Sequence, residues 1–119
     1  MFGKGVYLYE TKDFILRNID HQNYEIEYDT KDCFCASIQV KKRKIQIKAS
    51  SYKKGSVTID VIDPFGMIRI PRESFKKREE LEAFLLKAIK NIILERNMWQ
   101  IIGRKSMYFL LYSFIRKTT

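Results

Sequence analysis

Between residues 5 and 73, short runs of β-branched and aromatic residues alternate with polar clusters, the spacing of an antiparallel meander. The runs occupy residues 5–10, 14–19, 24–29, 34–40, 45–50, 57–62 and 67–70, so six or seven strands are predicted, closed into a small barrel or left as a sheet. Parity gives the firmest pairing. Apolar residues stand at even positions in Phe34, Ala36, Ile38 and Val40, then at odd positions in Ile45, Ile47 and Ala49, and one strand cannot change phase without a bulge or turn. A turn centred on Lys42-Arg43, pairing Val40 with Ile45 and Ile38 with Ile47, gathers the apolar side chains on one face. Gln39, Lys41, Lys44, Gln46 and Lys48 then share the other. Asp63-Pro64-Phe65-Gly66 has the residues of a type I turn and predicts a hairpin into 67–70.

After Ser74 the period lengthens to that of a helix. Leu81, Phe84, Leu85, Ala88, Ile89 and Ile92 fall on one stripe, predicting a helix over 76–96 with Ser74 as its N-cap. Glu79, Glu80 and Glu82 near its start and Lys90 and Arg96 near its end suit the helix dipole. Residues 98–116 are apolar on all sides and include the run MYFLLYSFI at 107–115, far shorter than the roughly 20 residues of a membrane span. Such a segment needs cover from the domain, a second copy or a membrane surface, and self-association through it is expected. The expectation is one α+β domain over 1–119: β-rich over 5–73, helical over 76–96, with an apolar C-terminal element over 98–116.

Composition narrows the chemistry. With 119 residues, 45% hydrophobic and 31% charged, the chain supports one core. Cys33 and Cys35 are separated by one residue, too close for an unstrained disulfide and unlike the C-x-x-C spacing of zinc sites, and His21 is the only histidine. Reduced thiols, no cofactor, no metal and a cytoplasmic protein are expected. Glu10, Lys12 and Asp13 interrupt any apolar run of signal-peptide type.

Charge is divided by position. Residues 1–40 carry 4 Lys and Arg against 7 Asp and Glu, and residues 41–119 carry 19 against 7. The break falls at Lys41-Lys42-Arg43-Lys44. With Lys48, Lys53, Lys54 and Tyr52, this hairpin combines phosphate-neutralising charge with an aromatic that can stack on a base, the chemistry of a single-strand-binding surface. A solvated sheet edge protected by lysines is the alternative. A second basic group, Arg69, Arg72, Lys76, Lys77 and Arg78, leads into the helix, where it either pairs with the following glutamates or receives an anion.

Catalytic signals are weaker. Glu25, Glu27 and Asp29 alternate along one predicted strand, an arrangement that would let three carboxylates hold Mg²⁺, and Asp29-Thr30-Lys31 has the D-x-K form found in metal-dependent nucleases. Glu10-Thr11-Lys12 matches the form equally well, and no Pro-Asp precedes either tripeptide. There is no glycine-rich phosphate loop, and His21 has no nucleophile partner fixed by spacing.

The passage Ile68-Arg69-Ile70-Pro71-Arg72-Glu73-Ser74-Phe75, followed by Arg78-Glu79-Glu80-Leu81-Glu82-Ala83-Phe84-Leu85, resembles the last strand and helix of bacterial pleckstrin-homology-like domains. There an Ile-Pro pair at the strand end leads through an aromatic into an acidic amphipathic helix. The resemblance covers residues 67–90. It implies a bent antiparallel barrel capped by its helix, and binding to lipid headgroups or proteins rather than catalysis. The oligonucleotide-binding barrel and the strand-rich dimers that bind single-stranded DNA fit the same element count. The sequence alone thus favours a non-enzymatic protein that binds nucleic acid, with an interaction module for an anionic membrane or a protein as the alternative and a nuclease as the minor one.

Overall fold

The computed structural model describes residues 5–102, with side chains through residue 94. In chain order the elements are α1 (Leu8–Ile19), β1 (Tyr24–Asp29), β2 (Cys33–Val40), β3 (Arg43–Lys53), β4 (Ser56–Ile62), β5 (Glu73–Phe75) and α2 (Arg78–Ile102). The strands form one antiparallel sheet in the order β1-β2-β3-β4-β5. It is an open, two-layer α+β arrangement: β1 and β5 are edges that do not meet, so among the described residues there are five strands and no barrel.

Three of the predicted runs are corrected. Residues 5–10 and 14–19 contribute to α1 instead of forming two strands. Thr11, Ile15 and Ile19, four residues apart, make its buried stripe, with Leu8 packed against the core. The polar cluster between the two runs, Thr11-Lys12-Asp13, lies within the helix. There Thr11 donates its hydroxyl to the Tyr7 carbonyl at 2.9 Å, and Asp13 pairs with Arg17 one turn on at 3.1 Å. The third run, 67–70, is loop. The turn before it forms as expected, with the Gly66 N–H donating to the Asp63 carbonyl at 2.9 Å. The strand that then pairs with β4 is Glu73–Phe75, through Val57↔Phe75 and Ile59↔Glu73. Ser74 therefore belongs to β5 and bonds Thr58 at 2.7 Å, rather than capping a helix that begins at Arg78.

The β2–β3 hairpin keeps the predicted faces but not the predicted register. Val40 pairs with Arg43, Ile38 with Ile45 and Ala36 with Ile47, two residues tighter than expected, so the turn is Lys41-Lys42, with Lys41 in the left-handed region at φ 57°. A shift of two preserves parity, and Phe34, Ala36, Ile38, Val40, Ile45, Ile47 and Ala49 all enter one core with Val57, Ile59 and Phe75. Both helices cover this face: Ile15 and Ile19 of α1 and Leu81, Leu85, Ala88, Ile89 and Ile92 of α2 join the same cluster. The helix predicted over 76–96 extends through Ile102, and so takes in the start of the apolar element predicted over 98–116. The rest of that element, with the self-association expected of it, lies outside the described residues.

The N-terminal segment is tied to the β3–β4 turn. Val6 N–H donates to the Gly55 carbonyl at 3.0 Å, and Gly5, at φ 101°, lies so close that a Cβ on it would sit 2.8 Å from the Gly55 Cα. Neither backbone can yield without breaking the contact. Gly5→Ala is expected to lower stability by about 2 kcal/mol, combining backbone strain with the clash. Gly66→Ala, with a similar φ of 68° but nothing within 4 Å, should cost only about 1 kcal/mol. Thermal melts of the two variants measure the difference.

Candidate functional site

The face of the sheet opposite the helices is open. It carries Glu25, Glu27 and Tyr28 of β1, Cys35, Ser37 and Gln39 of β2, Lys44, Gln46 and Lys48 of β3, and Thr58 and Asp60 of β4, as the register requires. Its lysines are compensated. Lys44 Nζ donates to Glu25 Oε2 at 2.8 Å, and this hydrogen bond and the carboxylate's charge hold the Lys44 pKa above the ordinary lysine value. Lys48 stands across from Asp60 and hydrogen-bonds Tyr28, which raises its pKa too. With Glu27 beside them, the middle of this face has no surplus of positive charge.

The thiols sit on the same face. Cys35 is fully buried beneath its neighbours, and burial, then the nearby Glu27 carboxylate, push its pKa up. Cys33 Sγ reaches the Tyr28 hydroxyl at 3.8 Å and Ser50 Oγ at 3.5 Å. Tyr28 is itself held above the ordinary phenol value by desolvation and then by the Cys33 contact. Nucleophilic thiols need a depressed pKa, and Cys35 is displaced the other way.

The three carboxylates proposed as a cation site do not share a face. A bulge between Ile26 and Tyr28 inserts Glu27 as an extra residue, so Tyr28 pairs with Cys35 and Asp29 with Phe34 on the core side of the sheet. There Asp29 forms an ion pair with Lys12 of α1, while Glu27 accepts from the Ser37 hydroxyl at 3.1 Å. Among the described residues, no group of three His, Cys, Asp or Glu is placed to hold a metal ion.

The predicted basic hairpin is likewise divided. Lys41 and Lys42 form the turn at one end of β3, and Tyr52, Lys53 and Lys54 lie at the other, about 33 Å away at the rise of an extended strand. Arg43 leaves the set altogether. Its parity is that of Ile45 and Ile47, and its guanidinium is buried against Asp63, with side-chain exposures of 2% and 0% and bonds of 2.8 and 3.2 Å. Arg78 is also engaged, with Glu10 at 3.0 Å and Glu82 at 3.4 Å.

What the fold does bring together was not legible as a motif. Cys33 pairs with Ser50 and Asp32 accepts from Ser51 N–H at 2.9 Å, so the β1–β2 turn, with Lys31, lies beside the end of β3. Lys53 pairs with Ser56, and β5 ends at Phe75 opposite Val57, so Lys76 and Lys77 emerge about two strand spacings, roughly 10 Å, from Lys53. Lys31, Lys53, Lys54, Lys76 and Lys77 are all exposed, and no ion pair engages them among the described residues. Tyr52, 75% exposed, immediately precedes Lys53 at the end of β3, and Asp32 follows Lys31 in the β1–β2 turn. Of the second basic group, Lys76 and Lys77 therefore join this end, whereas Arg69, whose Nε donates to the Gly66 carbonyl at 3.3 Å, lies in the β4–β5 connection with Arg72.

No helix among the described residues is long and apolar enough to cross a membrane. Comparison with protein-family models, with curated proteins and with solved structures returned no match.

Proposed function

We propose that this chain is a non-enzymatic nucleic-acid-binding domain that takes the phosphate backbone of a single strand at the β3–β4 end of its sheet. The observation that carries this reading is the meeting of Lys31, Lys53, Lys54, Lys76 and Lys77, drawn from within and beside three connections at one end of the sheet and left without ion-pair partners, with the exposed ring of Tyr52 next to Lys53. Ammonium groups neutralise phosphates with release of counterions, and a free aromatic face stacks on any base. The open face, whose lysines already hold Glu25 and Tyr28, contributes less.

Fluorescence anisotropy with a labelled single-stranded oligonucleotide tests it. The logarithm of affinity should fall with that of salt by about 0.7 per phosphate neutralised, so about four contacts give roughly a 90-fold loss for a fivefold rise in salt. Tyr52→Ala should weaken binding about tenfold, within the range for one stacked base. Lys53→Ser with Lys54→Ser should cost more than Lys44→Ser with Lys48→Ser. Absence of binding at about 50 mM salt, or equal losses from the two double variants, refutes the reading.

A further inference from the structure

At the opposite end of the sheet the ten-residue connection from β4 to β5 exposes apolar side chains on a rigid base. Phe65 is 61% exposed and Met67 52%, with Ile62 beside them, and Ile68, Ile70 and Pro71 line a shallow depression behind. This loop is not loose. The buried Asp63 carboxylate accepts from the N–H groups of Phe65 at 3.0 Å, Met67 at 3.1 Å and Ile68 at 2.8 Å as well as from Arg43, and the Arg43 guanidinium lies 5.3 Å from the Phe65 ring centroid. One buried ion pair thus locks the loop to the base of the Lys41-Lys42 turn. Five hydrogen bonds converge on one carboxylate and thereby fix two apolar side chains in solvent.

We propose that this loop docks the protein on an anionic lipid surface, Phe65 and Met67 entering the headgroup boundary while the neighbouring cations meet the lipid phosphates. Charge complementarity selects this occupant. Lys41 and Lys42 form the turn to which the loop is locked and Arg69 and Arg72 lie within it, all four exposed, while Asp63 is neutralised by Arg43 and the one exposed carboxylate adjoining the loop is Glu73, so cations outnumber carboxylates there. An apolar tip rimmed by cations is the pattern of interfacial membrane binding, in which buried apolar area and attraction to anionic headgroups add. This site is separate from the lysines of the β3–β4 end.

The test is sedimentation of the full chain with vesicles of phosphatidylcholine alone and of phosphatidylcholine with about one-third phosphatidylserine, at about 100 mM salt. Binding to the anionic vesicles is expected, with little to the neutral ones. Lys42→Glu with Arg69→Glu should lower it by at least about fivefold for each cation removed. Phe65→Ser with Met67→Ser should lower it about tenfold or more while leaving oligonucleotide affinity unchanged and the protein folded, with only the small drop in melting temperature expected from losing the Phe65–Arg43 contact. Lys53→Ser with Lys54→Ser should leave vesicle binding within about twofold, which separates failure here from failure of the nucleic-acid reading. Equal binding by the parent and the Phe65/Met67 variant overturns the proposal. So does a variant that changes only the sedimenting mass or oligonucleotide affinity, because the loop would then serve a protein or nucleic-acid partner.

Discussion

Arg43→Ala is expected to destabilise the domain by about 3–5 kcal/mol, the largest effect of any substitution outside the apolar core. The mutation removes a cation whose side chain is 2% exposed and leaves the fully buried Asp63 carboxylate without its charge partner. Three backbone N–H groups would still bond that carboxylate, but the loop they hold would bear an uncompensated charge. Urea denaturation measures the loss. Arg43→Met combined with Asp63→Leu should recover most of it, since an apolar pair needs no desolvation of charge. Arg43→Lys should not, because an ammonium cannot reproduce the two-pronged contact from Nε and Nη2.

The same pair sets an acid limit. Burial by itself would raise the Asp63 pKa, but the bonds from Ile68 N–H, Arg43 and Phe65 N–H outweigh it and hold the carboxyl below its ordinary 3.8. A depressed pKa means that the stabilisation is complete above 3.8 and is lost as pH falls through the lower folded value. The Arg43→Met, Asp63→Leu protein should therefore unfold less steeply in acid than the parent.

Phe34→Ala is expected to cost about 3–5 kcal/mol while Cys35→Ala, one residue on and equally inaccessible to solvent, should cost about 1 kcal/mol or less. The contrast follows from what covers each face. Phe34 is fully buried in the core cluster, with Lys12 of α1 over its ring, and its removal opens a cavity that the packed core cannot close. Cys35 is hidden only by the long side chains of its own face, Tyr28 and Lys48 among them, which are free to settle over a smaller residue. Equal losses in chemical denaturation would mean that the open face is as tightly packed as the core.

The strands were legible in the sequence to the extent that one face was buried. The spacing of the runs located β1 and β4, and parity gave β2 and β3 their buried faces, because a buried face punishes any odd slip. Arg43 shares the odd parity of Ile45 and Ile47, but a turn centred on Lys42-Arg43 and its charge placed it in solvent. Its partner Asp63 stands twenty positions away, a pairing that spacing does not disclose. The helix α1 was hidden because Val6, Tyr7, Tyr9 and Ile15 have strand propensity, which yields to tertiary burial; the four-residue spacing of Thr11, Ile15 and Ile19 was the better signal. The Glu27 bulge leaves no mark in composition, and without it the carboxylates of β1 look aligned. The lysine cluster is a product of topology, built from Lys31, Lys53 and Lys76 on connections far apart in sequence.

The pairing of Glu25 with Lys44 has a consequence for how the molecule meets a charged partner. With its uncovered face balanced and its lysines displaced to the two extremities of β3, the protein should be steered to a polyanion end-on rather than broadside. The strand β3 would then stand away from the surface it binds, leaving its second extremity directed outward and able to engage something else.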